Sequence, residues 1–171
     1  MYSLFLDTST KYLCIGIAKD NKIIYKYQQE AIKKQSELAI PYLSKCLTLN
    51  NLTPNDINEI VVTIGPGSFT GIRIGLTIAK VLASIRKIPL KAISSLNAYA
   101  SVGKKIVLLD ARSNRSYVGI YDNNKPIIQE CVLELKDVLE LIKKYPDYDV
   151  VLDAFLVGKT SEDIDVIDNM N

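Results

Sequence analysis

Residues 64–75, Ile-Gly-Pro-Gly-Ser-Phe-Thr-Gly-Ile-Arg-Ile-Gly, contain half of the eight glycines of the 171-residue chain. They lie between a β-like run that ends at Ile64 and a long apolar run with helical periodicity. A glycine-rich turn that leads into a helix is a common place for a phosphate, because the first N–H groups of the helix are free to donate. The stretch also contains Ser68, a candidate nucleophile.

Three known catalytic patterns do not fit this stretch. A P-loop requires Lys-Ser or Lys-Thr after its last glycine, and neither follows Gly71. The nucleophile turn of α/β-hydrolases requires glycine two residues before and two residues after the serine, whereas Ser68 has Pro66 and Thr70 there. The dinucleotide fingerprint Gly-x-Gly-x-x-Gly is missed by one residue. Anion binding by the backbone at the start of the helix stays open.

Composition restricts the remaining chemistry and the location. The chain has no histidine, which excludes histidine-activated serine chemistry and histidine-ligated metals for this chain acting alone. A net charge of +2 does not favour nucleic-acid binding by this chain alone, and three widely spaced cysteines fit a reducing compartment. Asp7 interrupts the N-terminal apolar run, and the longest apolar helix carries Arg73 and Lys80. We expect a cytoplasmic protein with no catalytic residue, no metal and no membrane contact.

The glycine-rich stretch predicts a turn followed by a capped helix. Gly65-Pro66-Gly67 forms the turn, and the hydroxyl of Ser68 caps a helix that runs to about Lys87. Glycines inside a helix cost about 1 kcal/mol each relative to alanine. Their spacing indicates what offsets this cost, because small residues recur every four positions and form one stripe: Gly71, Gly75, Ala79 and Ala83.

Such a stripe lets another backbone approach closely. Its partner is either the helix predicted at Ser36–Leu49 of the same chain, with Ser36 as N-cap, or a helix of another subunit, and the two are compatible. If it is another subunit, Gly75→Leu should break the pairing and leave the fold intact. The larger apolar residues of the same helix are then expected to face a sheet: Ile72, Leu76, Val81, Leu82 and Ile85.

A weak internal repeat organises the rest of the chain. Residues 6–25 align without a gap on residues 109–128, with seven identical pairs. In each copy a strand ends in an aspartate, and a polar turn, two further strands, a helix and another strand follow. The order βββαβ therefore occurs twice, and only the first copy continues into a second helix and strand. This pattern predicts an α/β fold with a first lobe at 1–94 and a second, shortened lobe with a polar tail at 95–171.

The turn Asp7-Thr8-Ser9-Thr10 is the other candidate site. In actin-like ATPases and sugar kinases, an aspartate that closes a strand holds metal and a glycine-rich hairpin folds around phosphate. This turn contains no glycine, although its hydroxyls could contact phosphate, so Asp7, Thr8, Ser9 and Thr10 are weak nucleotide-binding candidates. Hydrogen bonds within the turn explain the same residues without any ligand, and we favour that interpretation.

Four motifs together resemble the TsaB (YeaZ) family, whose members are subunits of the bacterial machinery that makes threonylcarbamoyladenosine in tRNA. They are Leu-Asp-Thr-Ser-Thr at 6–10, Gly-Pro-Gly-Ser-Phe-Thr-Gly-Ile-Arg-Ile-Gly at 65–75, Ser-Ser-Leu at 94–96 and Asp-Ala-Arg at 110–112. The second motif is the longest and the most specific. The resemblance covers about residues 2–155.

The resemblance implies an actin-like (sugar kinase/Hsp70-type) duplicated βββαβ fold with a truncated second half. It implies a non-catalytic scaffold that activates the catalytic subunit TsaD, with the small ATPase TsaE joining the assembly. The resemblance further implies that the chain contacts tRNA only within the complex and that a nucleotide binds only at a subunit interface. It also implies that the isolated chain forms a homodimer through the surface that pairs with TsaD. That surface is expected on the two helices, at Leu38, Tyr42, Cys46, Ser68, Gly71, Arg73, Gly75, Ala79 and Ala83.

The sequence departs from the family in several places. Gln35-Ser36-Glu37 stands where the family often has His-Ser-Glu, and Ser113-Asn114-Arg115 replaces an Arg-Gly-Glu-like turn. The second half is also shorter than usual. The alternative function is an actin-like small-molecule kinase or ATPase with degenerate phosphate loops, which would require tight Mg-ATP binding. A peptidase is disfavoured, because Ser68 has no histidine to activate it.

Overall fold

The computed structural model describes residues 1–153, and the chain divides into two compact units, Met1–Ser94 and a second unit that begins at Ser95. The polar tail expected at the end of the second lobe lies outside the described residues. Within residues 1–153, no helix is both long enough and apolar enough to cross a membrane.

The first unit contains five strands and two long helices: β1 (Tyr2–Asp7), β2 (Tyr12–Lys19), β3 (Lys22–Glu30), α1 (Gln35–Leu49), β4 (Ile57–Thr63), α2 (Phe69–Arg86) and β5 (Leu90–Ile93). The strands form one sheet in the order β3-β2-β1-β4-β5. β1, β4 and β5 are parallel, whereas β2 pairs antiparallel with both β1 and β3. A hairpin ribbon thus continues into parallel strands that α1 and α2 connect.

One face of this sheet carries the core of the first unit. Leu4, Ile17 and Ile60 are register neighbours on three adjacent strands, and none is more than 1% exposed. They belong to a single apolar cluster with Ala39 and Leu43 of α1 and with the alanines of α2. Because alternate strand residues point to the same face, this register lets both helices pack on one side of the sheet.

The ends of α2 follow the prediction, whereas the start of α1 does not. The Ser68 hydroxyl accepts a hydrogen bond from the Gly71 N–H at 3.2 Å, so the predicted cap is confirmed. α1 begins at Gln35, and its N-cap is Lys34 without any side-chain hydrogen bond. The predicted Ser36 cap is therefore wrong. Ser36 lies inside the first turn, where its hydroxyl is past the capping position.

The second unit repeats this arrangement with shorter elements: α3 (Ser95–Ala100), β6 (Lys104–Asp110), β7 (Arg115–Asp122), β8 (Lys125–Pro126), β9 (Cys131–Glu134), α4 (Leu135–Lys144) and β10 (Asp149–Leu152). The sheet order is β10-β6-β7-β8, and β9 also pairs with β7. β10 is parallel to β6, as β4 is to β1, and β7 is antiparallel to β6, as β2 is to β1. The predicted duplication is confirmed, with the third strand of the second copy divided into two short pieces.

The two copies differ in one detail of strand pairing. Asp7 pairs with Cys14, whereas Asp110 pairs with Ser116, so the second hairpin is one residue shorter between paired positions. The gapless sequence alignment therefore does not carry over to the strand register. The short helix α3 was not anticipated from the sequence, although Leu96 and Ala100, four residues apart, are both fully buried.

Candidate functional site

Thr8 joins the end of β1 to the first turns of α2. Its Oγ1 donates to the Gly71 carbonyl at 2.7 Å and accepts from the Gly75 N–H at 3.1 Å. A Cβ on Gly71 would lie 2.0 Å from the Thr8 carbonyl oxygen, and a Cβ on Gly75 would lie 2.4 Å from Thr8 Oγ1. The two helical glycines are therefore required by the closeness of this turn, which no larger residue permits.

The stripe of small residues faces the interior of its own unit. Gly71, Gly75, Ala79 and Ala83 are the four buried residues of α2, and both alanines belong to the core cluster. The prediction that this stripe meets another subunit is therefore wrong. The stripe packs instead on the Thr8 turn and on the sheet behind it, a neighbour that the sequence did not predict.

The predicted contact residues of α1 also face inward. Cys46 is 1% exposed, and Leu38 and Tyr42 are half-buried against the same core. The Tyr42 ring stacks on Tyr27 of β3 with the ring centroids 4.7 Å apart, so this flank of α1 faces the edge of the sheet. Burial raises the pKa of the Cys46 thiol, as expected for a core cysteine. Of the nine predicted interface residues, Ser68 and Arg73 are the exposed ones.

The outward sides of α1 and α2 carry large apolar side chains instead. We call the exposed sides of α1 and α2 together the outer helix face, which on α2 also carries the exposed polar residues Arg73, Thr77, Lys80 and Ser84. Its apolar members are at least half exposed: Ile40 (55%), Leu49 (59%), Phe69 (74%), Val81 (54%) and Ile85 (74%). The expectation that Val81 and Ile85 face the sheet is wrong, since the small stripe occupies that side. The Arg73 guanidinium lies 5.3 Å from the centre of the Phe69 ring and flanks this face with positive charge.

The Asp7 turn satisfies most of its polar groups, but the buried Ser9 hydroxyl has no hydrogen-bond partner among the described residues. The Asp7 carboxylate accepts from the Ser9 N–H at 2.8 Å and from the Thr63 hydroxyl at 2.5 Å. The Thr10 hydroxyl accepts from the Tyr12 N–H at 3.3 Å, and the Ser9 carbonyl accepts from the Ser68 N–H at 2.6 Å. The side chains of the three hydroxyl residues are buried within the unit: Thr8, Ser9 and Thr10. These contacts account for the Asp7 carboxylate and the Thr10 hydroxyl within the unit, and they leave the Ser9 hydroxyl over.

In the corresponding turn of the second copy, the aspartate also accepts a hydrogen bond from the backbone N–H two residues further along the chain. The Asp110 carboxylate accepts from the Arg112 N–H at 3.2 Å and lies 3.6 Å from the Arg112 guanidinium. Arg112, Ser113 and Asn114 all have positive φ angles, of 63°, 51° and 56°. An open depression of about 500 Å³ beside this turn is lined by Asn114, Glu134, Leu135 and Lys136, none of which belongs to a predicted site.

The described part of the chain contains no arrangement of side chains for serine-based catalysis or for metal binding. The Ser68 hydroxyl serves as a helix cap and has no histidine to activate it. Within residues 1–153, no group of three or more cysteines, aspartates and glutamates is arranged to hold a metal ion. The exposed apolar side chains of the outer helix face are not explained by either chemistry.

Comparison with known proteins gives consistent matches. A family model described as "TsaD: tRNA N6-adenosine threonylcarbamoyltransferase" matches residues 22–161. The tRNA threonylcarbamoyladenosine biosynthesis protein TsaB of Bacillus subtilis is 35% identical over 153 residues, which cover 84% of this chain and 67% of that protein. The protein of the same name from Buchnera aphidicola is 29% identical over 153 residues, covering 82% and 72%.

Solved structures agree on the fold. YeaZ from Pseudomonas aeruginosa superposes with a TM-score of 0.73 at 23% identity, covering 79% of this chain and 68% of that one. The ethanolamine utilization protein EutJ from Carboxydothermus hydrogenoformans gives 0.55 at 11% identity, covering 92% and 79%. The ROK hexokinase from Thermus thermophilus gives 0.53 at 12% identity, covering 94% and 84%. At these identities the likeness establishes the actin-like fold alone.

Proposed function

The chain belongs to the TsaB (YeaZ) family of tRNA threonylcarbamoyladenosine biosynthesis proteins, within the wider TsaD-like domain family, and we propose that it is a non-catalytic activating subunit of that pathway. In this proposal it pairs with a catalytic TsaD-type subunit, which transfers threonylcarbamoyl to the adenosine beside the anticodon. The ATPase TsaE joins the assembly. The cytoplasmic location expected from the sequence is part of the same proposal.

The outer helix face is the observation that carries this proposal. Its apolar side chains lie on two helices that pack beside each other in one unit. Exposed large apolar side chains on two neighbouring helices are a place where we propose that another protein docks. A second copy of the chain covers the same face in the proposed homodimer, when the TsaD-type subunit is absent.

The hydrogen bonds of the polar candidate residues support a non-catalytic role for this chain. The hydroxyl of Thr8 bridges β1 to α2, the Asp7 carboxylate closes its turn, and the Ser68 hydroxyl caps α2. These polar groups are thus engaged in holding the unit together, whereas the buried Ser9 hydroxyl has no partner among the described residues. A nucleotide belongs in this proposal only at the boundary with the partner subunit.

Reconstitution tests the proposal directly. The chain, a TsaD-type subunit, TsaE, unmodified tRNA and the threonylcarbamoyl adenylate are mixed, and threonylcarbamoyladenosine in the tRNA is quantified. We expect no product from this chain alone and strong stimulation of the TsaD-type subunit when the chain is added. Full activity of the TsaD-type subunit without this chain would overturn the proposal, as would product made by this chain alone.

A further inference from the structure

The net charge of the chain is small because its two units carry net charges of opposite sign. Residues 1–94 contain 12 lysines and arginines against six acidic residues, a net charge of +6. Residues 95–171 contain nine basic and 13 acidic residues, a net charge of −4. Charge asymmetry of this kind between halves is a feature of proteins that contact nucleic acid or another polyanion with one half.

Much of the positive charge of the first unit lies along one edge of its sheet. β3 is an edge strand, and five exposed lysines follow its course from the end of β2 to the start of α1. We call them the lysine edge: Lys19, Lys22, Lys26, Lys33 and Lys34. Lys22 and Lys26 lie on either side of a bulge in β3, because they pair with Lys19 and Gly16, which are three residues apart on β2. The lysine edge therefore spreads its charge along the strand and over both faces of the sheet.

The acidic residues of this segment are engaged elsewhere. Asp20 lies 2.6 Å from the N-terminal ammonium, which holds the pKa of that carboxyl below its usual range. Glu30 lies 3.4 Å from Lys11. Within residues 1–153, no member of the lysine edge forms an ion pair with a carboxylate. Lys22, Lys26, Lys33 and Lys34 therefore have no ion-pair partner in the described part of the chain, whereas the charge of Lys19 also helps to lower the pKa of Asp20.

The strand register places two lysines opposite each other, and their repulsion lowers the stability of this strand pair. Lys19 and Lys22 lie directly opposite each other on β2 and β3. Like charges at opposite positions of a ladder destabilise the pair. Lysines on an edge strand also protect it from pairing with other strands, but that role does not require Lys19 on the inner strand or Lys33 and Lys34 beyond the end of β3. An anion bound along the edge would reduce this repulsion.

We propose that the lysine edge binds the phosphate backbone of RNA. The choice of RNA over other polyanions rests on the proposed function, because tRNA is the substrate of that pathway. Lysine is a point charge that suits phosphates without reading sequence, so the contact positions the RNA and does not select it. This chain then contributes contacts to tRNA of its own, beyond its effect on a catalytic partner.

The test measures the affinity of fluorescently labelled, unmodified tRNA for the full chain at several KCl concentrations. Phosphate contacts make the logarithm of the association constant fall linearly with the logarithm of salt concentration. We expect the double variant Lys33→Gln/Lys34→Gln to bind roughly tenfold more weakly and to reduce the salt slope by about two. Lys33→Arg/Lys34→Arg keeps the charge and should bind as the unaltered chain does.

The second unit offers a matched control. Lys143 and Lys144 of α4 form an exposed lysine pair, and Lys143→Gln/Lys144→Gln changes the net charge by the same amount. We expect no change in tRNA affinity. Equal weakening by both double variants would mean that net charge alone acts, and it would overturn the proposal. Loss of binding to vesicles of anionic lipid, with tRNA affinity unchanged, would assign the edge to a membrane surface instead.

Failure here is distinct from failure of the proposed function. If the lysine variants bind tRNA normally while the chain still stimulates a TsaD-type subunit, the lysine edge is not an RNA contact and the activating role stands. If the chain does not stimulate that subunit but binds tRNA through these lysines, the RNA contact stands and the activating role falls.

Discussion

At the scale of single residues, the first unit depends on how closely Thr8 approaches α2. A threonine hydroxyl bonds both to a carbonyl and to an N–H of the helix, which is possible only where the helix has no Cβ in the way. Gly71 and Gly75 supply that space. The cost of two glycines in a helix, about 1 kcal/mol each, is offset by burial and by these hydrogen bonds.

The first prediction concerns Gly75. Gly75→Leu places side-chain atoms where Thr8 Oγ1 already lies, so we expect the first unit to lose at least about 3 kcal/mol of stability or to fail to fold. This reverses the sequence-based expectation that the fold would survive. Urea unfolding followed by circular dichroism measures the change. Thr77→Leu, on the exposed side of the same helix, is the matched control and should cost little. A stable Gly75→Leu protein would contradict the close packing.

The second prediction concerns a carboxylate that joins three strands. Glu59 of β4 accepts from the Ser3 hydroxyl of β1 at 2.6 Å and lies 2.6 Å from Lys91 of β5. The hydrogen bond from Lys91, and then that from Ser3, lower the pKa of Glu59 below its ordinary value of 4.5. A lowered pKa means that the ionised group stabilises the folded state above pH 4.5 and that this contribution is lost as the pH falls through the folded-state value.

Urea unfolding between pH 7 and pH 3 tests this coupling. We expect Glu59→Gln to be less stable than the unaltered chain at pH 7, and the difference to shrink below pH 4.5 as Glu59 takes up its proton. Glu134→Gln removes an exposed ion pair with Lys136 and serves as the control, with a smaller effect at neutral pH. A stability difference between Glu59→Gln and the unaltered chain that does not depend on pH would contradict the assignment.

At the scale of elements, α2 has two faces that could each pack on a neighbour. The small stripe packs on the sheet, and the larger apolar side chains at Phe69, Val81 and Ile85 remain outside. Helical periodicity shows that two such faces exist but not which one is inside. A helix with apolar side chains on its outward side exposes area that water disfavours, at about 25 cal/mol per Å². We therefore expect a partner to cover it.

The third prediction tests the outer helix face. Ile85 is 74% exposed, so Ile85→Glu should leave the stability of the chain nearly unchanged. In the complex the same change buries an unpaired charge, so we expect binding to a TsaD-type subunit to weaken at least roughly 30-fold, or about 2 kcal/mol. Isothermal titration calorimetry measures the affinity.

Val102 provides the matched control for that experiment. It is 76% exposed in the second unit, and Val102→Glu introduces the same charge outside the outer helix face. We expect the Val102→Glu chain to bind the partner as the unaltered chain does. Equal binding by the Ile85→Glu chain would remove the outer helix face from the proposed interface.

At the scale of the whole molecule, two copies of one βββαβ pattern carry different surfaces. Both copies keep the central parallel pair of strands and the antiparallel hairpin beside it. The first copy adds α2 and the lysine edge, and the second copy has a net negative charge. The shared topology is a matter of core packing, whereas the surfaces that could meet a partner or RNA differ between the copies. The fourth prediction, on Lys33 and Lys34, tests that difference.

Several features of the fold were predictable because residues close in the sequence control them. The Ser68 cap, the second helix and the strand after it in the first lobe, and the duplicated order were all predicted, because each depends on residues a few positions apart or on a simple periodicity. Family membership followed from contiguous motifs of the same kind.

Which face of α2 is buried depends instead on contacts between residues far apart in the sequence. The deciding contact joins Thr8 to Gly71, 63 residues away, and no local pattern encodes it. The interface predicted on Gly71, Gly75, Ala79 and Ala83 was wrong for this reason, since small residues every four positions serve a close approach within a chain as well as between chains. The lysine edge likewise depends on strand pairing and on where Asp20 and Glu30 bind, and both are properties of the folded chain.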